Sequence, residues 1–406
     1  MAMNLHLPLL HAYPFERLRQ LFDGITPDAR LRPISLGIGE PRHATPALIK
    51  DAYCKAIEGT GLAAYPATAG EAPLRQAIAQ WLQKRYALSV RAGDQILPVN
   101  GSREALFAFA QTVISSTPGQ PKPLVLCPNP FYQIYEGAAL LAGAEPYYVA
   151  SVPERNFAPD WSAVVPAIWA RTQLIFVCSP GNPAGAVMPL NEWETLFELS
   201  DKYGFVIASD ECYSEIYFRD TAPLGGLEAA AQLGRHDFKN LVAFTSLSKR
   251  SNVPGMRSGF CAGDAALMGQ FLRYRTYHGS AMSPVVQSAS IAAWQDEQHV
   301  IENRALYREK FHAVTPILKQ VLEVDLPDAG FYLWAKVKGS DEDFARDLYA
   351  AYNVTVLPGS YLARNAQGHN PGMGYVRMAL VAQTDECLEA AQRIAAFVRN
   401  TAKTSP

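Results

Sequence analysis

The chain predicts an α/β fold: a mostly parallel central sheet with helices on both faces, joined to a smaller α+β domain. Three observations carry that expectation. Short, nearly continuous apolar runs alternate with helical patterns through the middle of the sequence, as buried parallel strands alternate with their crossover helices. Polar residues able to do chemistry stand just after successive apolar runs, where open parallel sheets gather their ligands. Near residue 286 the alternation stops, and long helical stretches separated by isolated apolar segments take over.

Taken in order, QILPV (95–99), PLVLC (123–127), QLIFVC (173–178), FVIAS (205–209), LVAFT (241–245) and GFCAG (259–263) read as strands. Helical periodicity marks 102–114, 132–143 and 191–204. The last two end at Gly143 and Gly204, a residue suited to the left-handed turn that closes a helix. These elements assign residues 45–285 to a large α/β domain. Beyond it, 290–323 reads as one long helix, followed by GFYLWAKV (330–337), ARDLYAAYNVTVLPG (345–359), GYVRMALV (374–381) and a closing helix near 385–402. Residues 1–44 and 286–406 are expected to build the smaller domain.

Composition narrows the function. With 49% hydrophobic and 18% charged residues the chain is globular. A net charge of −2 without a strongly basic segment argues against nucleic acid or an anionic membrane as the main partner. The six cysteines lie far apart, with no CxxC pair and no histidines at zinc-ligand spacing, so they are expected to be free thiols of a reducing compartment, and no metal is expected. No run approaches the roughly 20 apolar residues of a membrane span. The N-terminal segment lacks a basic region and a cleavage site, and the cytoplasm is the expected location.

The third, fourth and fifth apolar runs deliver Asn182 in SPGNPAG, Asp210 and Tyr213 in DECY, and Ser246 and Lys249 in SLSK to one sheet edge. Earlier, QILPV-NGSREALFAFA reads as strand, small-residue turn and helix, and the free N–H groups of a helix N-terminus form a phosphate site. Arg257 and Ser246 would add a charged fork and a hydroxyl to the same phosphate. Taken singly, Asp210 could cap a helix, Asn182 could only turn the chain, and Lys249 with Arg257 could sit in a solvated loop. Their combination and order argue for a ligand carrying a phosphate at one end.

These residues resemble the fold-type-I, pyridoxal-phosphate-dependent aminotransferases of class I/II. The resemblance spans nearly the whole chain through LGIGEP (36–41), YPATAGEAPLRQAIAQWL (65–82), NGSREAL (100–106), PNPFYQIYEG (128–137), SPGNPAG (179–185), SDECYSEI (209–216), SLSKRSNVPGMRSGF (246–260) and YVRMAL (375–380). It implies that Lys249 bonds covalently to the cofactor aldehyde and later carries the substrate Cα proton, which needs an amine that can be neutral near pH 7. Neighbouring cations are expected to favour that form. Asp210 resembles the carboxylate that keeps the pyridine nitrogen protonated. Asn182 and Tyr213 resemble the donors to the phenolic oxygen, and Tyr132 the ring stacked on the cofactor. Ser102, Arg103, Ser246 and Arg257, with a contribution from Ser248, resemble the phosphate cup.

Tyr65 resembles the tyrosine that reaches the neighbouring subunit's phosphate, implying a homodimer with shared active sites. Arg377 resembles the clamp on the substrate α-carboxylate, helped by the backbone at Gly39. Ala184 and Met256 stand where the family often has Thr and Trp, which touches substrate-side detail and no reacting group. HAYPFERLRQLF (11–22), RPISLGIGEPRHATPALIKDA (32–52) and LPVNGSREALFAFAQTVI (97–114) are similar to proteobacterial N-succinyldiaminopimelate aminotransferases of lysine biosynthesis, which use glutamate as amino donor. That resemblance implies a second cation for the distal carboxylates, for which Arg42 is the candidate ahead of Arg17 and Arg30. Aminotransferases acting on aspartate, alanine or aromatic amino acids are the alternative.

Overall fold

A computed structural model describes residues 4–404. Its main sheet has eight strands in the spatial order Ile96–Val99, Gly259–Gly263, Leu241–Ser246, Val206–Asp210, Thr172–Cys178, Leu124–Asn129, Glu145–Val152 and Ala158–Pro159. The five from Leu241–Ser246 to Glu145–Val152 pair in parallel, and Gly259–Gly263 runs antiparallel to both of its neighbours. Successive residues of each strand feed opposite cores. Leu124, Leu126, Ile175, Val177 and Ile207 join one cluster, while Val125, Cys127, Leu174, Phe176 and Ala208 join the other. Alternate side chains of a strand point to opposite faces, so a strand covered on both sides must be apolar at every position.

Helices Ala72–Tyr86 and Leu190–Tyr203 close one face, and Ser102–Val113, Ile134–Leu141 and Ala265–His278 the other. The second region holds an antiparallel sheet in the order Tyr332–Lys336, Tyr375–Ala379, Leu357–Pro358, and a short parallel pair of Ile34–Ser35 with Val354–Thr355. Tyr307, Phe311 and Val314 of Gln298–Lys319 pack there with Ile34 and Leu36. That pairing brings the loop after residue 35 to the edge of the large sheet.

One expectation from the sequence fails, and one strand goes unexpected. The expected single helix over 290–323 is two helices, Pro284–Gln295 and Gln298–Lys319, parted at Asp296 in extended conformation. The first half inserts Ala289, Ala293 and Trp294 into the large core against Ala47–Glu58 and Ala72–Tyr86. Glu145–Val152 is a strand although its sequence shows no continuous apolar run, because it lies near the sheet edge and is only partly covered.

Candidate active site

Of the site residues named from the sequence, all but Tyr65, Arg42, Arg17 and Arg30 line one cavity of about 640 Å³. At one end, Ser102 opens helix Ser102–Val113, and Gly101 before it has φ +87°. A Cβ on Gly101 would stand 2.2 Å from Arg257 Nη2, so only glycine lets the guanidinium close over the helix N-terminus. Arg257 is held by Nη1 donating to the Pro254 carbonyl at 2.9 Å. Ser246 Oγ donates to the Ser258 carbonyl at 3.2 Å and accepts from the Ser248 N–H at 3.1 Å. Helix N–H groups, two hydroxyls and a guanidinium converging on one point are the donor set of a phosphate.

Asp210, the last residue of strand Val206–Asp210, is 4% exposed. Its Oδ2 accepts from Tyr135 Oη at 2.6 Å and its Oδ1 from the Cys212 N–H at 3.3 Å. Burial raises its pKa, while these two donors and the Lys249 charge pull it back. A buried carboxylate so incompletely compensated suits a cationic N–H partner in the cavity. Tyr135 stacks on Phe176 with centroids 4.5 Å apart, and burial keeps its hydroxyl protonated. The sequence reading missed Tyr135, which lies in the first turn of helix Ile134–Leu141, three residues after Tyr132. Arg103 Nε donates to Tyr132 Oη, and the Tyr132 ring meets Tyr135 edge-on at 5.7 Å.

Arg377, at 3% exposure, donates from Nη1 to Asn182 Oδ1 at 3.1 Å and from Nη2 to the Gly37 carbonyl at 2.9 Å. Its Nε is buried without a partner. Because Asn182 accepts through Oδ1, its Nδ2 is the end left to donate. Tyr332, also missed from sequence, places its ring 4.2 Å from the Arg377 guanidinium carbon and its hydroxyl 3.1 Å from Tyr213 Oη.

Lys249 Nζ donates to the Gly39 carbonyl at 2.9 Å. Its pKa is lowered to about 8, by burial first; the Arg377 and Arg103 charges add to this, and Cys212 and Glu40 oppose it. The sequence reading credited the cationic neighbours, but loss of hydration is the larger cause. Gly39 must be glycine, since a Cβ there would lie 2.0 Å from Tyr332 Oη.

The expected second cation is not at the cavity. Arg42 Nη1 lies 3.4 Å from Glu386 Oε1 in a half-exposed pair. Arg30 is bound to Asp28, and Arg17 lies over the Tyr361 ring at 3.7 Å beside a separate cavity. Tyr65 is wholly exposed. Among the described residues no cluster of His, Cys, Asp or Glu could hold a metal, and no helix is long and apolar enough to cross a membrane.

A family model described as aminotransferase class I and II matches residues 32–394. LL-diaminopimelate aminotransferases of Nitratidesulfovibrio vulgaris (strain DSM 19637 / Miyazaki F) and Aquifex aeolicus (strain VF5) are 33% and 32% identical, each over 89% of this chain and 90% of its own length. An aminotransferase structure from Neisseria meningitidis Z2491 is 56% identical with a TM-score of 0.94, covering 98% of this chain and 100% of that one. Aminotransferase AspB from Helicobacter pylori 26695 is 36% identical with a TM-score of 0.88, covering 96% and 99%. Matched over most of its length by the family model and by these relatives, the chain belongs to the class I and II aminotransferases, enzymes that work with pyridoxal 5′-phosphate.

Proposed function

We propose that this aminotransferase exchanges an amino group between glutamate and N-succinyl-2-amino-6-oxopimelate in two successive half-reactions. When bound, the cofactor supplies a carbonyl that condenses with amines and a ring that absorbs the electrons of the Cα–H bond. The chain's own residues do the rest. Ser102, Ser246, Ser248 and Arg257 would hold the phosphate, Asp210 would hold a proton on the ring nitrogen, and Asn182 Nδ2 and Tyr213 Oη would donate to the phenolic oxygen. Arg377 takes the substrate α-carboxylate, its buried and unpartnered Nε being a ready donor. Lys249 would be the residue that bonds to the cofactor and carries the Cα proton, for which an amine with a pKa of about 8 is suited.

One observation supports the substrate reading above others. The segment similar to N-succinyldiaminopimelate aminotransferases that lies outside the shared motifs, 11–22, contributes Tyr13 and Phe15 to the cavity wall. Neither carries one of the cofactor roles above, and we read both as substrate contacts. The names of the curated relatives favour a second reading, with LL-diaminopimelate itself as substrate. Steady-state comparison with 2-oxoglutarate as acceptor separates them. We expect kcat/KM for N-succinyl-LL-2,6-diaminopimelate about 100-fold above that for LL-diaminopimelate, the size of discrimination a few substrate contacts supply. The reverse order installs the second reading, and a preference for aspartate removes both.

Tyr65 is assigned to the cofactor phosphate of a second copy, which its complete exposure leaves it free to reach. Tyr65→Phe should leave a dimer, at twice the monomer mass by light scattering, with cofactor affinity reduced about tenfold, as for loss of one hydrogen bond to a charged group. A monomeric wild-type enzyme with full activity would refute the assignment.

A further inference from the structure

Behind the cavity lies a closed circuit of contacts that none of the roles above uses. Lys249 Nζ donates to the Gly39 carbonyl at 2.9 Å. Four residues further along that loop, His43 Nδ1 lies 2.8 Å from Asn303 Oδ1. Asn303 Nδ2 reaches the main-chain carbonyls of Lys249 at 3.3 Å and Arg250 at 3.4 Å, which returns the circuit to its start. Two cross-ties brace it: Asn252 Nδ2 donates to Asn303 Oδ1 at 2.9 Å, and Thr45 Oγ1 to the Asn252 carbonyl at 3.1 Å.

The chemistry of the partners fixes every donor. Carbonyls only accept, so Asn303 must turn its Nδ2 toward Lys249 and Arg250 and its Oδ1 toward His43 and Asn252. His43 must then carry its proton on Nδ1. Its Nε2, left as acceptor, lies 3.0 Å from Nζ of Lys310, a lysine only 1% exposed. Burial lowers the pKa of His43 below the ordinary value; the Asn303 hydrogen bond opposes this and the neighbouring Lys310 charge adds to it, leaving the net shift downward, in keeping with a neutral ring. The Tyr307 ring, 4.5 Å away by centroid, closes the other side.

We propose that His43 and Asn303 are positioning residues for Lys249: together they fix the distance between its main chain and the Gly39 carbonyl, where the amine is held whenever it is not covalently engaged. The circuit ties both ends of that hydrogen bond to helix Gln298–Lys319, so the amine waits at a set place instead of sampling the cavity. Proton transfer depends steeply on such placement. The inference rests on Lys249 being the covalent and proton-carrying lysine.

The test uses His43→Phe combined with Lys310→Met, which removes both members of the buried pair and leaves neither unpartnered. Asn303→Ser is the second variant and carries the test alone if the first does not fold, as judged by melting. In cofactor-free protein, trace acetylation of Lys249 at neutral pH, quantified by mass spectrometry, should rise about fivefold as the amine is released. In the loaded enzyme kcat with glutamate should fall about tenfold, with KM within twofold. The isotope effect from Cα-deuterated glutamate should rise, because proton transfer becomes limiting. A folded variant with unchanged labelling, kcat and isotope effect overturns the inference. Loss of the visible band in Lys249→Ala, with the circuit variants behaving as wild type, would overturn the positioning role alone. Retention of the band in Lys249→Ala would overturn the lysine assignment on which it rests.

Discussion

Lys249→Ala should abolish the visible absorbance of the cofactor-loaded protein and lower turnover by about 10⁴-fold or more, while the protein still folds. The magnitude follows from the two tasks proposed for Lys249 being lost at once, covalent hold on the cofactor and movement of the Cα proton, since removing a residue central to covalent catalysis costs this much or more. Folding survives because the amine contributes little stability. Burial disfavours its charged form, lowering its pKa from 10.5 to about 8, so between those values the unfolded chain binds more protons than the folded one. Stability of cofactor-free wild type therefore rises with pH through that window, and below about pH 8 the full cost of burying a charge is present. Alanine removes that cost, so cofactor-free Lys249→Ala should melt at or above the wild-type temperature at pH 7, with the difference shrinking as pH rises from about 8 to 10.5. At pH 7 about one wild-type amine in ten is neutral, against fewer than one in a thousand for an ordinary lysine. Persistence of the band, or of a borohydride-reducible adduct at normal yield, would show that another group holds the cofactor.

How far the sequence alone leads depends on which physical cue a residue carries. The central strands are legible because sheets covered on both faces demand unbroken apolar runs, and Asn182, Asp210 and Lys249 are legible because each follows such a run. Glu145–Val152 is not, because its partial exposure erases that pattern. The break at Asp296 hides inside continuous helical periodicity. It arises because Trp294 belongs to one core and Tyr307 to another. Tyr135 and Tyr332 escape notice as aromatics among aromatics, and only the fold shows that their hydroxyls face Asp210 and Tyr213. Arg42 fails for a different reason: its partner Glu386 lies 344 positions away, and no local pattern announces that pairing. The same limit applies to His43, whose partners come from a helix about 260 residues further on.

Asp210→Asn is the more discriminating substitution, because it separates charge from shape. An amide fits the same space, its oxygen can accept from the Cys212 N–H, and its NH₂ can donate to Tyr135 Oη, which turns from donor to acceptor. What disappears is a negative charge that burial holds above the ordinary carboxylate pKa. The folded protein binds that proton more tightly than the unfolded chain does, so this carboxylate costs stability once pH rises through its raised pKa. Without cofactor, the asparagine variant should therefore melt at or above the wild-type temperature at neutral pH. Catalysis should move the other way. In the role proposed for Asp210 only a carboxylate favours a proton on the cofactor ring nitrogen, and kcat with glutamate should fall about 10³-fold, a loss typical of removing one preorganised electrostatic partner. KM should stay within a few-fold, because Arg377 and the phosphate contacts are untouched. A purely structural Asp210 would lower stability and kcat together, or leave both alone. Raised or unchanged melting with kcat reduced by orders of magnitude requires that its charge act in the reaction, whereas kcat within threefold of wild type would remove Asp210 from the chemistry.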